Sequence, residues 1–346
     1  MKTFELLIDV TDAANLGEDA FICATVQFPD SAKASSSQVV CFAKPGAGFS
    51  RKYFTIDLPG PARGSQAEWH TANGWIFIAI DHLGVGESSC HHDPARLTAE
   101  RVAAANHAAE QEILTKLIEG ELSDGFPAVS QPVVIGIGQS MGGFLTVFQQ
   151  GRYHDYDGIG ILGFSAVNNH PPTPPGEQPV IAAWRVPRGD DNKSAVLLNK
   201  KQFSTAFRKF NNADPQPTDV LVNRSAKGNQ WFYYYEDVLQ HLEQYTTREN
   251  MPWLSSTIPG LISSVMTPGL IAPEAAAIDV PVLMAAGERD VVVDPKGEPG
   301  AYLSSNSVDT FVCPRMAHMH NFAGTRTLFW QRIHNWGEWV KALNNH

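Results

Sequence analysis

Basic side chains are scarce in this sequence of 346 residues. Lysine and arginine together number 26, against 36 aspartates and glutamates, which gives a formal net charge of -10. The basic residues also form no dense block. Nucleic acids and anionic membrane surfaces bind proteins through clustered positive charge, so neither is an expected partner. A small organic substrate is the better expectation.

Long apolar runs are missing as well. No stretch approaches the roughly 20 apolar residues that a membrane-spanning helix needs. The opening "MKTFELLIDV" lacks the longer apolar region and the small-residue cleavage site of a signal peptide. The four cysteines, at positions 23, 41, 90 and 313, are widely separated, which is typical of reduced thiols and not of a disulfide framework. We therefore expect a cytoplasmic protein.

Short apolar runs alternate with helical segments over the first half of the chain. The runs "FELLIDV" and "DAFICATVQF" predict an opening hairpin, and "QVVCFAK", "WIFIAID", "PVVIGIG" and "GIGILGFSAV" predict buried parallel strands. The segment "TAERVAAANHAAEQEILTKLIEG" predicts a helix of about six turns. The pattern indicates an α/β fold, with a mostly parallel twisted sheet flanked by helices.

A proline-rich segment then interrupts this pattern. "NNHPPTPPGEQP", residues 168–179, can continue neither a helix nor a central strand and predicts a linker. Strand patterns resume at "DVPVLMAAGERD" and "VDTFVCPRMAHMH", and the helical "TLFWQRIHNWGEWVKALNN" follows. We therefore predict that residues 168–277 form an inserted, largely helical cap, and that 1–167 and 278–346 are two parts of one core domain.

The candidate nucleophile is Ser140, in "GIGQSMGG". Gly138, Ser140 and Gly142 form a G-x-S-x-G pattern, in which small neighbours let a strand and a helix approach closely around a strained serine. The pattern alone would arise by chance in roughly one sequence in seven of this composition and length. Its position between a buried strand and a helix makes an inert turn serine the weaker alternative.

A serine nucleophile needs a base, and the base needs an orienting acid. Asp290 follows one of the later predicted strands and His318 follows the next, so the chain order is Ser, Asp, His. Asp294 and Glu288 are the alternatives to Asp290. His320, two residues beyond His318, is the alternative base.

The chain resembles the α/β-hydrolase superfamily. The resemblance rests on "CFAKPGAGF", "IAIDHLGVGES", "GIGQSMGG", "VLMAAGERDVV" and "CPRMAHMHNF". It implies that Ser140 is the nucleophile, that Asp290 is the acid through a Gly-x-x-Asp spacing, and that His318 is the base through a small-residue-His-apolar pattern. It also implies that the insertion is a cap that shapes the substrate pocket, and it implies no metal or organic cofactor.

Two backbone N–H groups should hold the oxyanion of an acyl-transfer reaction. The same resemblance places one at Met141, directly after the nucleophile, and the other in the loop "KPGAGF", where Ala47 comes ahead of Gly48. Related enzymes often begin this loop with His-Gly. Here Pro45 stands in place of that histidine, which leaves the geometry of the loop open.

The aromatic run "WFYYY", residues 231–235, either packs in the core of the cap or lines an apolar pocket. We expect the pocket to include Gly46, Phe49, Trp231, Tyr235 and His320. The segment "CHHDP", residues 90–94, contains metal-capable side chains, but no second cluster has ligand spacing, so we interpret it as a polar surface loop and expect no metal site.

Together these features predict a serine hydrolase that cleaves a carboxylic ester or lactone of a hydrophobic small molecule. Two alternatives stay open. One is a hydrolase that uses the same three residues to cleave a carbon-carbon bond of a diketone, and the other is a non-catalytic ligand-binding protein that reuses the fold. The serine at position 140 disfavours the relatives that use a nucleophilic aspartate.

Overall fold

The computed structural model describes residues 2–33, 35, 37–122, 126–176, 231–245, 250–265 and 267–345. The strands of these residues are β1 Lys2–Asp9, β2 Phe21–Phe28, β3 Val39–Lys44, β4 Ile76–Asp81, β5 Val133–Gln139, β6 Gly158–Leu162, β7 Val282–Arg289 and β8 Val308–Ala317. Their helices, labelled in chain order, are α1 Thr11–Ala14, α2 Lys52–Thr55, α3 Gln66–Ala72, α4 Ala99–Glu119, α5 Met141–Tyr153, α6 Glu236–Leu239, α7 Ile262–Val265, α8 Ala272–Ala277 and α9 Arg326–Asn344.

The strands of the described residues form one sheet in the order β1-β2-β4-β3-β5-β6-β7-β8. β1 pairs antiparallel with β2, and β2 pairs antiparallel with β4. Every other neighbouring pair is parallel. The predicted mostly parallel α/β sheet is confirmed. The two opening strands pair as expected, but α1 lies between them.

Helices cover both faces of the sheet, and the alternation of side chains along each strand supplies both cores. In β3, Phe42 packs into a cluster on the face covered by α4 and α5, which contains Phe144. Its neighbour Cys41 packs into the opposite cluster, which contains Trp336 of α9. Because both faces are buried, the central strands are apolar at nearly every position.

The long helix α4 illustrates why the sequence folds locally as it does. The hydroxyl of Thr98 accepts a hydrogen bond from the N–H of Arg101 and caps the first turn. The helix ends at Gly120, whose φ of 76° lies in the left-handed region that glycine adopts without strain. The 21 residues between these caps confirm the predicted helix of about six turns.

The predicted cap lies between β6 and β7, and much of it falls outside the described residues. Those parts are 177–230, 246–249 and 266. Its described residues include the short helices α6, α7 and α8. The domain limits at 167 and 278 stay a prediction.

The cysteines and the helices bear on two further expectations. All four cysteines are free, and three of them lie in β2, β3 and β8. Cys41 and Cys313 are buried, whereas Cys90 is exposed. Among the helices of the described residues, none combines the length and the apolar character that crossing a membrane requires.

Candidate active site

Ser140 lies on the turn that joins β5 to α5. Its backbone angles, φ 53° and ψ -116°, are rare for a residue with a side chain, and such strain persists only where the surroundings hold it. The N–H of Ser140 donates to the carbonyl of Leu162 at 2.8 Å, and its carbonyl accepts from the N–H of Phe144 at 3.1 Å. The serine is therefore fixed on both sides and is only half-buried.

The glycines on either side of the serine make this turn sterically possible. A methyl group on Gly138 would lie 2.6 Å from the backbone nitrogen of Gly143. A methyl group on Gly142 would lie 2.6 Å from the carbonyl carbon of Lys44, at the end of β3. Both contacts are too short for real atoms, so the start of α5 can approach these backbones only where the side chain is hydrogen.

Asp290 and His318 lie at the same edge of the sheet as Ser140. Asp290 directly follows β7 and His318 directly follows β8, while Ser140 follows β5. The carboxyl ends of parallel strands meet at one edge, which is where ligands bind in open α/β sheets. His318 Nδ1 lies 2.6 Å from Asp290 Oδ1, and both side chains are buried.

Asp290 is surrounded by hydrogen-bond donors. Besides His318, it accepts from His320 Nε2 at 2.7 Å, from the N–H of Gly287 at 3.0 Å and from the N–H of Val291 at 2.7 Å. Burial alone would raise the pKa of this carboxyl, but the charge of a protonated His318 and the hydrogen bonds from both histidines bring the pKa well below its usual range. The carboxylate therefore stays ionised.

The alternative acids and the alternative base have other surroundings. Glu288 and Asp294 are exposed, and in the described part of the chain neither forms a hydrogen bond with a histidine. Glu288 instead accepts from the backbone N–H of Arg315 at 2.8 Å. His320, expected in the substrate pocket, has its side chain buried against the second oxygen of Asp290.

Gln139 is a neighbour of His318 that the sequence reasoning missed. When His318 Nδ1–H donates to Asp290, Nε2 is left as an acceptor, and Gln139 Nε2 lies 3.5 Å from it. Gln139 also donates to the carbonyl of His318 at 3.0 Å. Within the described residues, Ser140 Oγ makes no hydrogen bond to His318. The only signal in the sequence is that Gln139 directly precedes the nucleophile.

An aromatic segment covers His318. The ring of Phe232 stacks on the imidazole of His318, with centroids 4.7 Å apart and planes 19° apart. The carbonyls of Phe232 and Tyr233 accept from the N–H groups of His318 and Met319, at 3.2 and 3.0 Å. The segment that follows the undescribed part of the predicted cap is thus bonded to the loop of the candidate base.

Two of the three aromatic residues predicted for the pocket, Trp231 and Tyr235, lie on this same segment and contact Arg289. The rings of Trp231 and Tyr235 lie 4.3 and 4.7 Å from the guanidinium of Arg289. The same guanidinium donates to Glu236 at 2.6 Å and to the carbonyl of Tyr234 at 2.9 Å. Trp231 and Tyr235 therefore hold the segment onto the end of β7, next to Asp290.

The loop after β3 has the form of a tight turn. The N–H of Phe49 donates to the carbonyl of Gly46 at 3.1 Å, and Gly48 has a φ of 77°, as the third position of a type II turn requires. The carbonyl of Gly48 accepts from the N–H of Ser255 at 2.8 Å. The N–H of Ala47 makes no hydrogen bond with any described residue, so it is available to an acceptor.

Residues on either side of this turn hold it in place. His82 Nε2 lies 3.3 Å from the carbonyl of Pro45, and burial lowers the pKa of His82 to about 4, so a neutral imidazole donates. The N–H of Arg51 donates to Asp81 at 2.5 Å, and the buried guanidinium of Arg51 also pairs with Asp81. The "DHLGVGES" segment thus fixes the loop through two side chains that sequence reasoning did not identify.

At the amino end of α5, Met141 is the first helical residue, and the first N–H groups of a helix have no acceptor within the helix. The helix dipole adds partial positive charge there. The N–H of Met141 is therefore suited to hold a developing oxyanion.

Three potential metal ligands meet near "CHHDP". Donor atoms of Glu18, His91 and His92 all lie within 4.8 Å of one another. A nitrogen of the Arg96 guanidinium, however, lies 3.3 Å from His91 Nε2. That places a positive charge at the nitrogen that a metal ion would need, so the cluster gives no support for a metal centre.

The fold therefore defines an α/β protein with its candidate site at the carboxyl edge of the sheet. A model of the alpha/beta hydrolase family matches residues 39–328, so the chain belongs to this family. No curated protein sequence matches the chain significantly.

Similar solved structures include a haloalkane dehalogenase loop variant from Bradyrhizobium elkanii, with 13% identity over 99% of both chains and a TM-score of 0.56. A thermophilic esterase from Thermogutta terrifontis has 13% identity, covers 97% of this chain and 99% of its own, and has a TM-score of 0.56. An enol-lactonase from Burkholderia xenovorans has 12% identity, covers 94% and 97%, and has a TM-score of 0.55. Likeness at these identities shows the shared fold and not the substrate.

Proposed function

We propose that the chain is a serine hydrolase that cleaves a carboxylic ester or lactone of a hydrophobic small molecule. The observation that carries the proposal is the arrangement at the sheet edge. Ser140 is held in a strained turn, and the ends of two further strands supply a buried Asp290–His318 pair 2.6 Å apart. A nucleophile, an acid and a base in this chain order satisfy the needs of covalent acyl transfer.

In the proposed reaction, Ser140 Oγ attacks the carbonyl carbon and its proton passes to His318 Nε2. The imidazolium that forms is stabilised by Asp290, and the N–H groups of Met141 and Ala47 hold the oxyanion, with Gly48 as the alternative donor. The intermediate expels the alcohol, which takes the proton from His318. Water then attacks the acyl-enzyme with His318 again as base, which releases the acid and restores the serine. The proton transfer from Ser140 to His318 needs a hydrogen bond between them, and catalytic hydrogen bonds of this kind often tighten only when substrate is bound.

His318 is the proposed base because its Nε2 lies 3.5 Å from the side-chain nitrogen of Gln139, the residue directly before Ser140. In His320 the Nε2 atom contacts Asp290, whereas in His318 it is Nδ1 that does so. The Nε2 of His320 is therefore not free to accept the serine proton. The stacked ring of Phe232 and the buried Phe49 favour an apolar substrate, since ligand pockets are mostly hydrophobic with a few polar groups. Two of the similar solved structures, an esterase and an enol-lactonase, are consistent with this class.

Labelling with a fluorophosphonate probe tests the proposal, because such probes modify an activated serine. We expect one adduct on the peptide that contains Ser140, and none in Ser140→Ala. Ser304→Ala, which alters an exposed serine, should be labelled like the wild type. An unlabelled wild type, or an adduct on another serine, would exclude this nucleophile. Assays of 4-nitrophenyl butyrate beside a diketone would then separate ester cleavage from carbon-carbon cleavage.

A further inference from the structure

Asp290 lies between two imidazoles. His318 contacts Oδ1 of the carboxylate, and His320 Nε2 lies 2.7 Å from Oδ2. All three side chains are buried, so neither contact is shared with bulk solvent. The reaction proposed above uses only the His318 side of this group, which leaves the second imidazole without an assigned role.

The chemistry of the contact fixes which nitrogen of His320 carries hydrogen. An ionised carboxylate only accepts hydrogen bonds, so Nε2 must donate. Burial lowers the pKa of His320, and the bond to Asp290 offsets this only in part, so the ring is neutral. Nδ1 of His320 is buried and has no hydrogen-bond partner among the described residues. His320 is thus a neutral donor to Asp290.

The residues around Asp290 and His320 pack closely against both side chains. Gly163, directly after β6, has a φ of 61°, and a methyl group on it would lie 2.8 Å from His320 Cε1 and 2.9 Å from Asp290 Oδ2. The ring of Phe329, in α9, lies 4.5 Å from the His320 ring. Two elements distant in sequence therefore enclose the imidazole and keep it on the carboxylate.

We propose that His320 is a positioning residue of the hydrolase, which holds Asp290 in the orientation and charge state that His318 needs. The inference rests on the proposed function. Without the His320 donor, the N–H of Gly287 is the one hydrogen-bond donor that Oδ2 keeps among the described residues. With one donor fewer, the negative charge of Asp290 attracts protonated His318 more strongly. His318 is therefore protonated more easily. As the solution is acidified, neutral His318 should consequently disappear at a higher pH than in the wild type.

In the described part of the chain, two other titratable groups interact with the pair of Asp290 and His320. His318 lies on the other side of the carboxylate, as described. Tyr53 of α2 is close enough for its charge to interact with Asp290, but burial raises the pKa of its phenol above any working range, so it stays neutral. The acid limb of an activity profile is the range of low pH in which protonation of the base stops the reaction. A shift of this limb on changing His320 would therefore report the contact between His320 and Asp290.

The test compares His320→Met, which removes the donor, with His320→Gln, which keeps an N–H at a similar distance from the backbone. The readout is the second-order rate of fluorophosphonate labelling of Ser140 against pH, whose acid limb reports protonation of the base. His320→Met should lower the neutral-pH rate by about 10- to 100-fold and move the acid limb upward by about half a pH unit or more. His320→Gln should restore both.

His70→Met is the matched control, because His70 is also a buried histidine but packs against Trp75 and Phe77. Its acid limb should coincide with that of the wild type. If His320→Met lowers the rate but leaves the acid limb in place, the residue is merely structural and the inference is overturned. Unlabelled wild-type Ser140 would instead refute the proposed function, and the inference with it.

A measurement on the wild type covers the case in which His320→Met does not fold. Long-range proton-nitrogen NMR spectra of protein labelled in histidine should show His320 as a neutral Nε2–H tautomer at neutral pH. An Nδ1–H tautomer, or a charged ring at neutral pH, would overturn the proposal.

Discussion

Replacing Gly142 by alanine should strongly lower the activity of the candidate site, although it changes none of the proposed catalytic side chains. The added methyl group would lie 2.6 Å from the carbonyl carbon of Lys44 and 2.8 Å from the carbonyl oxygen of Pro45. Both are backbone atoms, so neither can rotate away. Carbon atoms in contact normally lie about 3.5–4.0 Å apart, so the start of α5 and the loop after β3 must separate by about 1 Å.

That displacement gives the size of the effect. The loop and the first turn of α5 carry the candidate oxyanion donors Ala47 and Met141, so the separation spoils their common geometry. A misplacement of about 1 Å can lower a rate by about 100-fold, which corresponds to about 2.7 kcal/mol of transition-state stabilisation. The overpacking itself should reduce the free energy of unfolding by about 1–3 kcal/mol.

The assay is the rate of 4-nitrophenyl butyrate hydrolysis, measured with thermal unfolding on the same samples. Gly300→Ala is the matched control, since a methyl group there would meet nothing within 4 Å. It should keep the wild-type rate and change stability by less than about 1 kcal/mol. A Gly142→Ala protein with the wild-type rate would refute the close approach on which the reasoning depends.

Three further predictions concern side chains around the site. Arg51→Met leaves the buried carboxylate of Asp81 without its cation and should reduce the free energy of unfolding by about 3–5 kcal/mol in urea titrations; an unchanged value would contradict the ion pair. His82, whose pKa burial lowers to about 4, binds its proton more readily in the unfolded chain, so stability should fall by up to about 3 kcal/mol as the pH drops from about 6.5 to about 4. His82→Gln should flatten that part of the stability curve, and an identical slope would count against a neutral buried ring. Phe232→Ala removes the ring stacked on His318 and should slow fluorophosphonate labelling about 10-fold, whereas Phe232→Tyr should not; equal rates for the two variants would exclude the stacking role.

The order of strands and helices in the core follows from local patterns, which is why the sequence predicts it well. The run from Val133 to Ile137 is apolar throughout because β5 is buried on both faces. Thr98 and Gly120 bound α4 by interactions within a few residues. The motif around Ser140 is equally local. The structure confirms that it lies between a strand and a helix.

Side-chain partners were harder to predict because they depend on where distant elements meet. His318 and His320 would project the same way from an extended segment, but a 3-10 turn begins at His320 and redirects it. The rings of Trp231 and Tyr235 turn to Arg289, whose position is set by β7. No local pattern encodes these meetings.

The bonds of the loop after β3 also have a consequence for biosynthesis. Ser50 Oγ donates to the carbonyl of Pro252, a partner 202 positions later in the chain, and the N–H of Ser50 donates to the carbonyl of Trp253. A ribosome that has made only the first six strands has made the turn of Ser140 but not the segment that fixes this loop. During translation the nascent chain therefore carries its candidate nucleophile well before Pro252 and Trp253, which hold the loop after β3, and before Asp290 and His318.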